Sequence, residues 1–369
     1  MVINMEKKKA KRKINSSTFL LMITIVLFAV MYIAGMIIFE DKGFAKPQMF
    51  MNLFISNAGL IVIGCGMTLV MITGGIDISV GSVTALVCMS AAYAMENKGM
   101  SAISAVVISL LIGILFGVVQ GYLVTYLEIQ PFIVTLAGMF FGRGLTAVIS
   151  TDMIAIKNKT FLAWANYRIN LPFGTYNRRG MFIPAYIYPT VIIALGVVIL
   201  ITIMLKFTKF GRNLYAIGGN QQSAVMMGLN VKRTKMKAYV LDGFLAGLGG
   251  FLFCLNSCAG FVEQAKGLEM DAIASAVIGG TLLSGGVGTV IGTLFGVLIN
   301  GTISSLITTQ GTLSSWWTRI VLSALLCFFI VLQAVFGAMK KKKKTVTKTD
   351  LKNGNTGGTP PAKASTESE

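Results

Sequence analysis

The chain of 369 residues is 54% hydrophobic and only 12% charged, carries a formal net charge of +18 and contains no histidine. A soluble domain has about 25% charged residues, so this chain reads as a multi-spanning membrane protein. The lack of imidazole excludes Ser-His-Asp catalysis and histidine-ligated zinc. The cysteines, Cys65, Cys88, Cys254, Cys258 and Cys327, sit in or beside apolar runs, so neither a disulfide framework nor a metal or cofactor site is expected.

In chain order, a basic head (1–18) leads into an apolar run from Phe19 to Phe39. It is too long for the core of a cleaved signal peptide, about 7 to 15 residues, and is read as an uncleaved first helix. At about 20 residues per crossing, ten crossings are predicted: 19–39, 53–72, 80–95, 101–127, 132–150, 182–205, 238–257, 271–284, 287–307 and 317–338. The third and eighth are short and are expected to be broken or partly penetrating helices, so counts down to eight remain open. The membrane part is therefore 19–338, followed by a lysine-rich tail (339–369) expected to be disordered. The fold class is all-α and polytopic.

Orientation follows from the cations. The basic ends and the segment 206–237, with seven cations and no acid, are all placed in the cytoplasm by the positive-inside rule, an arrangement that ten crossings satisfy. Because the lysines cluster beside the spans, they imply an anionic bilayer surface as partner and no nucleic acid. Residues 151–181 then lie outside although they hold five cations against Asp152, and a small external cap is expected there.

Several segments carry function. Asp77 lies in Gly74-Gly75-Ile76-Asp77-Ile78-Ser79-Val80-Gly81-Ser82, an acid among glycines between apolar runs. Intramembrane acids are expensive and functional by default; capping of the next helix is the first reading and solute contact the second. Arg143 is the other buried charge of the first half, a structural charge expected to pair with an acid. Gly113, Gly117 and Gly121, and likewise Gly288, Gly292 and Gly296, have the small-xxx-small spacing that lets backbones approach, read as packing within one subunit. In the basic segment, Gln221 to Gly228 is expected to form a short amphipathic helix exposing Ala224, Met226 and Met227 as a docking knob. The sequence Leu283-Ser284-Gly285-Gly286 is no nucleotide site, because no G-x-x-x-x-G-K-[ST] loop occurs in the chain to cradle a phosphate. Any ATP must be bound elsewhere.

Taken together, GGIDISVGS (74–82), PFIVTLAGMFFGRGL (131–145), GRNLYAIGGN (211–220) and MDAIASAVIGGTLLSGGVGTVIGTLFG (270–296) resemble the permease subunits of bacterial ABC sugar importers of the ribose, galactoside and xylose group. The region 270–320 is most similar to galactofuranose permeases. The resemblance implies a non-catalytic membrane subunit in the bacterial cell membrane that pairs with a second permease, docks a cytosolic ATP-binding subunit and receives sugar from an extracytoplasmic binding protein. It places the ATPase-coupling contact at Gln222, Ser223, Ala224, Met227 and Gly228, where relatives have Glu-Ala-Ala and then glycine. Asp242 replaces a small neutral residue of the group and is expected to pair with Lys235 or Lys237 at the membrane surface.

A neutral sugar needs polar groups along its path and no ion pair. Asn57, Asp77, Ser79, Asn256 and Asn300 are the expected lining residues. An ion-coupled secondary transporter is the alternative, although its usual midplane carboxylates reduce here to Asp77.

Overall fold

The structure is a computed structural model that describes residues 16–176, 180–312, 314 and 316–353. It contains thirteen helices: α1 (Ser16–Ile38), α2 (Pro47–Ile72), α3 (Val80–Glu96), α4 (Ala102–Thr125), α5 (Pro131–Ile149), α6 (Lys159–Asn166), α7 (Pro189–Phe207), α8 (Lys209–Gly219), α9 (Gln221–Met226), α10 (Val231–Ser257), α11 (Leu268–Ile278), α12 (Val290–Gln310) and α13 (Trp316–Asn353). Four short strands, β1 (Ile154–Ala155), β2 (Ile169–Tyr176), β3 (Phe182–Ile187) and β4 (Ala259–Gly260), pair antiparallel as β1–β4 and β2–β3.

Among the described residues eight helices are long and apolar enough to cross a membrane. The shorter α3 and α11 lie at the two short crossings expected from sequence, α11 spanning Leu268–Ile278 where 271–284 was expected. At 1.5 Å per residue, α11 with its 11 residues reaches about 16 Å, half of a hydrocarbon core of about 30 Å. Local chemistry sets the boundaries: Pro47, Pro131 and Pro189 open α2, α5 and α7, while Thr208, Asn220, Asn230 and Thr289 cap α8, α9, α10 and α12 through their side chains. These oxygens satisfy amides that a helix start leaves free.

Two expectations change. The crossing read as 182–205 starts at Pro189, because 182–187 forms β3 against β2; Phe182, Ile183, Tyr186 and Ile187 are residue types that suit a strand. The helix α13 continues to Asn353, where coil was expected from 339. Lysine is a good helix former, so the span carries its helix into the basic run; residues 354–369 lie outside those described.

The helices α2 and α10 are the bundle's core, whereas α1, α4, α5 and α13 show mostly exposed apolar faces. Close backbone approach builds that core. A Cβ at Gly113 would strike the Gly243 carbonyl, and one at Gly117 the Tyr239 carbonyl, so α4 lies directly on α10. Gly292 and Gly296 of α12 meet the backbone of Gly279 and Ser275 beside α11 in the same way. Both glycine series thus pack within the chain, where lipid supplies no hydrophobic drive.

The bundle has two distinct ends. At one, α6, the β2–β3 hairpin and the β1–β4 pair form a cap tied down by Glu96, whose Oε1 accepts from the amides of Lys157 and Asn158 at 2.7 and 2.9 Å. At the other lie α8, α9 and the loops 73–79 and 279–289.

Candidate functional site

The α8–α9 end is assembled from backbone. The Ile72 carbonyl closing α2 accepts from the Gly286 amide at 2.8 Å, which seats the 279–289 loop on the 73–79 loop. Gly74, Gly285 and Gly286 have φ of 82°, 82° and 76°, left-handed values natural to glycine. Gly218 of α8 rests on this junction, touching Ile72 and Gly286 backbone so closely that no Cβ fits. Beside it the Tyr215 hydroxyl donates to the Gly288 carbonyl at 2.8 Å; burial pushes that phenol up from its ordinary value, keeping it a donor. α8 is therefore in direct contact with the end of α2 and with the 279–289 loop.

From α8 the chain turns at Asn220, whose Oδ1 accepts from the Ser223 amide at 2.9 Å, into α9. This helix is amphipathic and exposes Met226 and Met227 as expected, but not Ala224. Ala224 is fully buried against Ile217 and Val231, while Val225, Met226 and Met227 are exposed, Met226 to 88%. Ala224 anchors α9 and the methionines project. The physical reason is the small cluster beneath α9, which accepts a methyl group and leaves the long thioethers for the surface. Gln222, Ser223 and Gly228 are exposed beside them. A groove of about 840 Å³, lined by Glu128, Gln130, Val225, Gly228, Lys232 and Arg233 among others, runs between α9 and the α4–α5 loop.

Above the floor lies a buried polar network. Asp77 Oδ1 accepts from the amide and the hydroxyl of Ser79, both at 2.7 Å, and Gln120 Nε2 donates to the Ser79 hydroxyl at 2.8 Å. Asp77 thus holds the turn just before α3 through Ser79, without capping the first-turn amides of α3 as the capping reading expected, and Ser79 ties α3 to α4. Asp242 of α10 departs from expectation. It is fully buried against the Asp77 carboxyl and packed on Gly66 of α2, with no other hydrogen-bond partner for its oxygens among the described residues. Lys235 instead donates to Gln221 at 2.7 Å. The reason is position: two turns separate Asp242 from Lys235, and α10 has entered the core between them. Tyr239, one turn before Asp242, is also buried with an unpartnered hydroxyl.

Arg143 likewise meets no acid within bonding distance. Its Nη1 donates to the carbonyls of Val262 and Gln264 at 2.7 and 2.6 Å, holding the loop before α11; Glu269 and Glu263 act on it only through their longer-range field. Of the expected lining residues, Asp77 and Ser79 are together in the buried network. Asn57 sits in a cleft between α2 and α12, Asn256 in a small cavity of about 120 Å³ with Asn166 and Tyr188, and Asn300 is buried within α12. The five do not form one site. Sequence reasoning missed Tyr239 and Gln120 and the hydroxyl-rich second half of α12, although Ser304-Ser305 and Thr308-Thr309 inside an apolar run were a legible signal.

The sequence matches, over residues 49–330, the family described as "Branched-chain amino acid transport system / permease component". The chain belongs to this permease family. Among its relatives are the inner membrane ABC transporter permease protein YjfF of Escherichia coli, 42% identical over 85% of this chain and 91% of that one, and the fructose import permease protein FruG of Bifidobacterium longum, 35% identical over 87% and 92%. The ribose import permease protein RbsC of Bacillus subtilis is 37% identical over 79% and 86%. No solved structure matches the chain. The all-α, multi-pass architecture is that of a membrane permease component.

Proposed function

We propose that this chain is the membrane-spanning, non-catalytic subunit of an ATP-driven importer that carries a neutral monosaccharide across the bacterial cell membrane. The observation that carries the reading is the α8–α9 unit: an exposed Val225-Met226-Met227 knob at α9, beside α8, which is clamped to the end of α2 and the 279–289 loop. Such a unit suits a partner that delivers force, here a cytosolic ATP-binding subunit, since the chain has no phosphate-cradling loop of its own. Gln222, Ser223, Met227 and Gly228 touch that partner, and Ala224 holds the helix up to it. A second permease copy or paralogue and an extracytoplasmic sugar-binding protein complete the complex. Both termini and 206–237 face the cytoplasm, and the cap of residues 151–181 faces outward.

Sugar as substrate is supported by relatives named for fructose and ribose import, with galactofuranose the first sugar to test because of the 270–320 resemblance. The family description names branched-chain amino acids. A zwitterion would need compensating charges in a low-dielectric path, and Arg143 is committed to two carbonyls. Neutral cargo fits better.

The decisive experiment is uptake in vesicles after an uncoupler has removed ion gradients. ATP-dependent sugar accumulation is expected; accumulation that needs the gradient and ignores ATP would make the protein an ion-coupled transporter. For orientation, Asn166→Cys should react with an impermeant thiol reagent in intact cells, and labelling only after permeabilisation would invert the topology.

A further inference from the structure

Between the cap-side halves of α2 and α12 the helices part to leave a cleft of about 440 Å³. Its walls include Asn52, Ser56 and Asn57 from α2 and Ser304, Ser305 and Thr308 from α12, with no charged side chain among the lining residues. The spacing is helical: Asn52 and Ser56 lie four residues apart on one wall, Ser304 and Thr308 four apart on the other, so each pair shares a face. Ser56 is nine residues into α2, about 14 Å below its start at 1.5 Å per residue, and it is exposed. At that depth lipid does not accept exposed hydrogen-bonding groups.

The remainder of the surface sharpens this. The outward faces of α4 and α5 present Ile103, Leu111, Leu115, Phe140 and Phe141, a surface made for acyl chains. The α2–α12 face instead presents hydroxyls and amides, and the side-chain hydroxyls of Ser56, Ser304 and Ser305 have no protein partner among the described residues. Such groups require water or a hydrogen-bonding ligand. Each hydroxyl and amide both donates and accepts, the capacity that a sugar's ring of hydroxyls matches, and the volume lies within the range of about 300 to 1,000 Å³ typical of small-molecule sites. Two adjustments keep the cleft open. Gly301 leaves room for Asn57, whose Nδ2 a Cβ there would meet at 2.6 Å, and Lys42 fastens the end of α12 by donating to the carbonyls of Thr309 and Gln310 at 2.8 and 2.9 Å.

We propose that the α2–α12 cleft is a water-filled station on the sugar's route, where Ser56, Asn57, Ser304 and Ser305 exchange hydrogen bonds with a neutral polyhydroxylated solute. This rests on the sugar-import reading and adds a place of contact. Because these groups are uncharged and their exchange with water is nearly even, with a net of about 1 kcal/mol per bond, the station holds the solute weakly and releases it. That suits a conduit.

The test uses the complete transporter in membranes, with ribose, fructose, galactose and galactofuranose as probes. Ser56→Cys and Ser304→Cys are expected to react with a charged, impermeant thiol reagent well above the parental chain, and the transported sugar should slow the reaction. Ser304→Val with Ser305→Val should lower uptake at sub-saturating sugar about fivefold to twenty-fivefold, since one bond of about 1 kcal/mol corresponds to roughly a fivefold change, while co-purification of the ATP-binding subunit stays at the parental level as the check on folding. Cysteines as unreactive as the parent would mean that protein or lipid fills the cleft, and reactive cysteines with unaltered uptake and no sugar protection would mean hydrated surface off the route; either result overturns the proposal. Import of none of the four sugars by the parental complex, with its ATPase intact, would strike the import reading itself and remove the station's ligand with it.

Discussion

At the α8–α9 end, three backbone segments touch with no side chain between them: the end of α2, the 279–289 loop and Gly218 of α8. At the cap end, α2 and the partner helix α12 separate around a cleft of about 440 Å³ rimmed by hydroxyls and amides. The same helix α2 takes part in both. Close packing transmits displacement because a contact without slack has no other way to yield, whereas the cleft leaves space between its walls. On the proposed reading one end receives motion and the other passes the solute.

The largest effects should come from filling the tight end. Gly218→Val places a Cβ onto the Ile72 carbonyl and the Gly286 backbone, neither of which is a flexible side-chain tip. A loss of about 3 kcal/mol is expected, read as a lower melting temperature of the purified protein and loss of uptake. The neighbouring Gly219 has open space around it, so Gly219→Ala should behave like the parent. Parental melting and transport by Gly218→Val would mean that the junction is loose and the contrast between the two ends is not real. Next comes α9. Ala224→Arg forces an unpaired cation into the Ile217–Val231 cluster and should cost about 2 to 3 kcal/mol, whereas Met226→Ser changes an 88% exposed side chain. The serine variant should melt normally and bind the ATP-binding subunit about tenfold more weakly, the scale of a modest interface hot spot. Equal loss of stability in both variants would show that α9 has no outward face.

The buried network gives a smaller, signed expectation. Asp77→Ala removes the acceptor for the Ser79 amide and hydroxyl and should cost about 1 to 2 kcal/mol. Asp242→Asn keeps the shape and sets an amide that can donate beside the Asp77 carboxyl, replacing one of two adjacent buried acids, so thermal stability should stay within about 1 kcal/mol of the parent or rise. If Asp242→Asn instead lost more than Asp77→Ala, Asp242 would be the organiser of the network and Asp77 its dependant.

Much of this architecture was legible in the chain. Apolar runs and short polar breaks marked the eight helices that, among the described residues, are long and apolar enough to cross a membrane, and the shortness of 80–95 and 271–284 marked α3 and α11, because the bilayer fixes what length a helix needs. Asp77 was legible as the holder of a turn, since an acid among glycines before an apolar run has few other uses. The facing of side chains was not. Ala224 and Met226 are both small or apolar and lie two residues apart, and which one turns inward is decided by Ile217 and Val231, residues outside α9. Asp242 reads as a surface acid because four cations precede it within α10, yet the helix is already in the core there, covered by Gly66. Pairings between helices distant in sequence carry no local signal.

The smallest effect is expected at the rim of the tight end, where Lys232 of α10 and Glu128 of the α4–α5 loop form an ion pair at 3.0 Å with side chains 51% and 73% exposed. An exposed pair of this kind contributes about 0 to 1 kcal/mol because water and salt screen it while two long side chains lose freedom. Lys232→Ala should therefore lower stability by less than about 0.5 kcal/mol, a change in melting temperature barely above error, and the change should vanish in high salt. Topology should not change either, since Arg233, Lys235 and Lys237 remain beside it and the positive-inside bias is counted over the whole flank. On the proposed topology the two ends of the molecule then differ in how they treat charge as well as space: the cations at the α8–α9 end would set orientation collectively, and the backbone contacts beneath them would carry the mechanical load. A loss above about 1 kcal/mol for Lys232→Ala, undiminished by salt, would instead place this ion pair inside the clamp and extend the rigid unit from α8 across to α4.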